Sequence, residues 1–218
     1  MQPTILVRGE AIREVPSELA VFNASVSVRD RDKDAVLARL TESSAVLRAL
    51  LDGYGEAVER RETGGVQVYP DFKRAGERPA AYVGNIDTSV TVSDFEVLGE
   101  MLPRLAAARD VSITGPWWQL RRGSKAGAEV RKAAITDALD RAREYASAVG
   151  SRVDQLVEIS DEVAGGGGGI VPIAARAMAY DGRESAPVFQ LDPQRQTIQA
   201  TVLVRVTITE PDLSEQTV

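Results

Sequence analysis

Ser124 stands beside Lys125, and a Ser–Lys pair is one of the few ways to activate a hydroxyl in a chain that has no histidine. A base must come within about 3 Å of the hydroxyl it activates. Adjacent residues at a helix start point apart, so Ser124 reads better as the N-cap of the helix that follows. Five consecutive glycines, 165–169, have the composition of a phosphate cradle. A P-loop continues into Gly-Lys-Ser/Thr at a helix start, but here Ile170-Val171-Pro172 follow, offering neither an ammonium group nor a magnesium-binding hydroxyl. A flexible linker is the simpler reading. Carboxylates are plentiful, yet no Asp-x-Asp-x-Asp-Gly calcium loop and no paired-acid spacing stands out. No catalytic, cofactor-binding or metal-binding residue is assigned, no cofactor is expected, and the chain reads as a non-enzyme.

Binding chemistry has better candidates. Arg121, Arg122, Lys125, Arg131 and Lys132, offset by Glu129, form a local basic patch in an acidic chain. A solvated face explains it most simply; its functional form is docking onto an acidic surface, such as the tail or first-helix start of a second copy. Trp117 and Trp118 are adjacent, so in a strand their rings leave opposite faces. One belongs to the core and the other lies under a helix or anchors an interface, where Trp is enriched. Tyr69, Phe72 and Tyr82 flank the polar stretch 70–79, which is longer than a hairpin needs. The interface candidates are therefore Tyr69, Phe72, Tyr82, Trp117, Trp118, Arg121 and Arg122, and the expected partner is a second copy of the chain. Two rival readings are an enzyme built on carboxylates and Ser or Lys in an unrecognised cleft, and a monomeric adaptor that binds one protein through 70–79.

The 218 residues contain no Cys and no His, with a net charge of −6. The zeros exclude disulfides, thiolate nucleophiles, Ser-His-Asp triads and Cys- or His-ligated metals. The negative balance disfavours nucleic acid, whose phosphates are gripped by clustered Lys and Arg. No apolar run approaches the ~20 residues of a bilayer span. Nor does a basic then apolar leader open the chain, so the expected setting is the cytoplasm, or the periplasm or exterior where a signal peptide has been removed.

The elements that must position these residues show in the periodicity. Alternation over residues 5–11 and again over 19–28, across Val15-Pro16-Ser17, reads as an antiparallel hairpin. Val36, Leu37, Leu40, Ser43, Ser44, Leu47, Leu50 and Leu51 recur at helical spacing, after acidic Asp30, Asp32 and Asp34 and before Gly53 and Gly55. Residues 58–69 and 82–92 read as two strands around the 70–79 loop. Ser93-Asp94-Phe95-Glu96 reads as a capping box, with Val92 and Val97 as a staple, opening a helix whose stripe is Leu98, Met101, Leu102 and Leu105. A strand follows over 111–120. The helix over 125–149 carries a ladder of Ala134, Ala138, Ala142 and Ala146, suited to close packing within one subunit. A strand over 153–159 precedes a Gly/Ala/Pro-rich excursion, with room for a short strand near 170–173. The clearest strand comes last: Ile198, Ala200, Val202, Val204, Val206 and Ile208 on one face, polar residues mostly on the other. The expected fold is α+β, a largely antiparallel sheet with about three helices on one face, in the order β-β-α-β-β-α-β-α-β-β. Residues 1–210 are read as one domain with room for two lobes, and 211–218 as an acidic tail.

In this order the pieces resemble the SIMPL-domain proteins. The matching residues are Ile5-x-Val7-x-Gly9-x-Ala11, Val15-Pro16-Ser17-Glu18-Leu19-Ala20, Val68-Tyr69-Pro70, Tyr82, Val92-x-Asp94 and Leu98-Gly99. They continue with Ala142-x-x-x-Ala146-x-x-x-Gly150 and Pro193-x-x-x-x-Ile198-x-Ala200-x-Val202. The resemblance covers nearly the whole chain; each motif is weak alone and specific only in joint order. Ser17 stands where the family often has Asp, and the secretory leader of the bacterial branch is missing. The resemblance implies an α+β domain, a tendency towards large ring-like or channel-like oligomers and a loose link to oxidative or envelope stress; the reading adopted with it is a self-assembling protein with a protein-binding or scaffold role. It supplies no catalytic residues.

Overall fold

A computed structural model describes residues 2–72, 78–161 and 188–212. The strands divide into two sheets, both wholly antiparallel, each with its helices on one face. The chain accordingly forms two compact units. The 165–169 glycines, the 170–173 strand, the middle of the 70–79 loop and residues 213–218 of the tail lie outside the described residues.

One unit is built from β1 (Thr4–Val15), α3 (Lys125–Ala148), β6 (Val153–Asp161) and β7 (Gln196–Ile208), with strand order β1-β7-β6. The terminal strand is interior, as its apolar face requires. Val202, Val204, Val206 and Ile208 are buried with Val7 beneath the alanine ladder of α3. All four ladder alanines are buried, and the sheet beneath them is cut to match. A Cβ on Gly9 would lie 2.1 Å from the Ala134 carbonyl oxygen and 2.6 Å from Ala138 Cβ. The Ser124 hydroxyl accepts from the Ala126 N–H, so Ser124 caps α3 as its position suggests.

The other unit holds β2 (Leu19–Asp30), α1 (Lys33–Asp52), β3 (Val58–Asp71), β4 (Ala81–Val92), α2 (Phe95–Ala106) and β5 (Val111–Gln119), with strand order β3-β4-β2-β5. Phe22, Val26, Val28 and Val90 face the buried stripes of α1 and α2. Asp32 caps α1 by accepting from the Asp34 N–H, and Gly53 closes its C-terminus.

Three local expectations are corrected. Residues 5–11 and 19–28 do form strands, but no hairpin: β1 pairs with β7 along its whole length, while β2 pairs with β4 and β5. Alternation specifies a strand and its buried face, not its partner, and the apolar face of β1 is matched by a strand almost two hundred residues away. The cap of α2 is Asp94, not Ser93; its carboxylate accepts from the N–H groups of Glu96 and Val97. An ionised side chain at the helix N-terminus gains from the macrodipole as well as the hydrogen bonds, and Ser93 instead hydrogen-bonds Glu59. Leu37 is exposed, one position off the stripe that α1 buries.

Asp110 locks the second unit together. It sits at φ 65°, a left-handed conformation in which Asp and Asn are enriched. Its carboxylate accepts from Arg39 Nε at 2.9 Å and from the Ser43 hydroxyl at 3.2 Å, tying α1 to the turn before β5. The hydrogen bond from Arg39, reinforced by Ser43, holds the Asp110 carboxyl below the usual carboxylate range despite opposing desolvation. A depressed folded-state pKa gives stability that is present above the unfolded value of about 3.9 and lost as pH falls through the folded value. Asp110→Asn keeps the backbone preference and removes the charge. It is expected to melt several degrees below the parent at pH 7, with the gap closing as pH falls from the unfolded value through the lower folded one. Thermal melts across pH check this; a gap constant with pH would show that the charge contributes nothing.

Candidate functional site

The antiparallel register sorts the candidate residues onto different faces. Trp118 turns inward and packs edge-on against Phe95, ring centroids 4.9 Å apart. Trp117 leaves the opposite face at 44% exposure, paired with Val21. Tyr69 is exposed at the far side of the same sheet, on edge strand β3, paired with Val83. Tyr82 is one residue off the period of that face and packs against the helix-side core. Phe72, just beyond β3, is exposed. Of the five aromatics, the structure therefore brings Trp117 and Tyr69 to one open sheet face, leaves Phe72 at the end of the β3–β4 hairpin, and packs Trp118 and Tyr82, partly buried, against the core.

Between Trp117 and Tyr69 this face is polar. Asn23 and Ser25 of β2 lie across from Ser89 and Asp87 of β4. Ser25 donates a hydrogen bond to the Asp87 carboxylate. The face is a hydrogen-bonding surface with one aromatic ring at each end.

The basic residues fall in both units. Arg121 belongs to the same unit as Trp117, and its guanidinium is bound by both oxygens of Glu59, one at 2.7 Å. Its backbone N–H donates to Glu18 at 2.9 Å. The Arg121 hydrogen bond, with a further one from Ser93, holds the Glu59 carboxyl below its usual range, while Arg121 itself is raised. Arg122, Lys125, Arg131 and Lys132 belong to the other unit.

Sequence reasoning missed the apolar edge of the three-stranded sheet. On β6, Leu156 (54%), Val157 and Ile159 are all exposed, and among the described residues no strand pairs with the outer edge of β6. Leu6 and Ile12 (61%) are exposed on the face of β1 opposite α3. The signal was available: Leu6 and Ile12 fall on the otherwise charged phase of β1, and Leu156-Val157 breaks alternation at a β-bulge. Among the described residues no three acidic side chains converge on a common point where a metal ion could sit, and no helix is long and apolar enough to cross a membrane.

A family model described as "SIMPL: Protein of unknown function (DUF541)" matches residues 5–206. The chain belongs to the SIMPL family. The match begins in β1 and ends in β7, so it takes in both sheets and all three helices. Among curated proteins, this SIMPL chain is similar to the "26 kDa periplasmic immunogenic protein" of Brucella melitensis biotype 1 and to the protein of the same name from Brucella abortus (strain S19). In each comparison 28% of 172 aligned residues are identical, covering 72% of this chain and 66% of the relative, just under two thirds of its length.

Proposed function

We propose that this SIMPL protein is a non-enzymatic, self-assembling binding protein whose contacts between copies use the apolar edge of β6 and the Trp117 face. The observation that carries the reading is β6: an edge strand with Leu156, Val157 and Ile159 exposed together. Soluble chains blunt such edges with charge, proline or cover, because an open row of backbone donors and acceptors is a template for another strand. Trp117 adds a large ring outside the core, the kind of anchor that interfaces favour.

The ring-like form and the stress-related role in this reading come from the family resemblance. The relatives' name speaks for a periplasmic setting, which we adopt over the cytoplasmic expectation.

Replacing Leu156 and Ile159 together with lysine charges the edge at two exposed positions. The double variant, and Trp117→Ala separately, are expected to lower the particle mass in at least one case while the far-ultraviolet spectrum and melting of each chain persist. Trp at an interface centre is worth roughly 2 kcal/mol or more, enough to shift a micromolar assembly to smaller species. An unchanged mass for every variant would remove β6 and Trp117 from the interface.

A further inference from the structure

The stripe of α1 and the edge of its sheet do not close fully on one another. Between them lies a cleft of about 420 Å³, a size typical of small-molecule sites. Its walls follow from periodicity. Leu47 and Leu51 of α1 are one helical turn apart, and Ser44 and Arg48 form the adjacent row. Across from them, Val66 pairs with Ile86 and Thr63 with Thr88 along the β3–β4 ladder. The cleft thus mixes four aliphatic side chains with five polar ones, and among the described residues no aromatic ring and no carboxylate lines it.

Its polar groups are unevenly satisfied. Arg61 is held by Asp52 at 2.8 Å and by the Arg48 carbonyl, and Ser44 donates to the Leu40 carbonyl. The Arg48 guanidinium forms no ion pair or hydrogen bond among the described residues, so one positive charge at the rim is uncompensated. Thr88 is only 8% exposed, yet its hydroxyl has no hydrogen-bond partner and is not sealed from the open volume. A hydroxyl that opens into the cleft can donate to or accept from a ligand atom there.

We propose that this cleft binds an aliphatic carboxylate, its head on Arg48 and Thr88 and its hydrocarbon body on Leu47, Leu51, Val66 and Ile86. The charge favours an anion. The aliphatic walls suit an alkyl body, whose burial supplies the non-directional part of the binding.

Isothermal titration of the purified protein with decanoate below its micelle concentration tests this, with decanol and decyltrimethylammonium as neutral and cationic counterparts. Decanoate is expected to bind saturably, once per chain, and more tightly than either counterpart. Arg48→Ala should weaken it about tenfold or more, as loss of a charge-assisted hydrogen bond does. Val66→Trp, placed on an exposed strand position where the fold tolerates it, should fill the cleft and abolish uptake. Absence of saturable binding to the parent, a counterpart binding as tightly as decanoate, or either variant retaining parental affinity would overturn the proposal. Because uptake is scored per chain, it can fail while self-assembly stands.

Discussion

Val204→Asp is expected to yield no soluble, folded protein. Val204 is fully buried at the centre of the three-stranded sheet, paired with Val7 on one side and Ile159 on the other, under the α3 alanines. The substitution removes about 1.5–3 kcal/mol of apolar burial. It also puts an unpaired carboxylate where neither water nor a cation can reach it, a further cost of several kcal/mol. Together these rival the roughly 5–15 kcal/mol that holds a whole domain folded. Val204→Ala, which removes only methyl groups, should fold and melt lower, at a cost of about 1–3 kcal/mol. Expression yield and circular dichroism decide the matter; an Asp variant melting like the parent would mean β7 is not interior.

Gly9→Val is expected to produce the second large loss. The added Cβ would occupy space already held by the backbone of α3 at Ala134 and Ala138, so the helix itself must lift. Overpacking a tight contact costs about 1–3 kcal/mol when side chains can give way, and more when only backbone can. Lifting α3 also loosens all four buried alanines, which fit only at close approach. Gly65→Ala is the control: nothing lies within 4 Å of its added Cβ, and the change should stay within about 0.5 kcal/mol. Urea unfolding of both variants checks the contrast. Equal midpoints would show that α3 does not rest on Gly9.

What was legible in the sequence was local. The 3.6-residue recurrence in α1, α2 and α3 and the alternation in β2, β4 and β7 give the elements and their buried faces, because one face of each must leave water. The alanine ladder predicts close approach, and Gly9 beneath it supplies the matching hollow. Pairing was not legible between distant elements: β1 alternates equally well beside any apolar strand, and only the folded chain selects β7 over β2. The site residues divide in the same way. The opposed faces of Trp117 and Trp118 follow from adjacency alone, whereas the capture of Arg121 by Glu59 joins positions far apart in the chain. The cleft under Arg48 depends on how far α1 stops short of β3, a tertiary distance with no trace in spacing.

The central claim is that copies of this chain assemble through an exposed edge and an exposed tryptophan. Multi-angle light scattering on the purified chain at tens of micromolar measures it most directly. The expected result is a single species with a mass several times that of one 23.5 kDa chain. A clean peak at the mass of one chain would contradict the account.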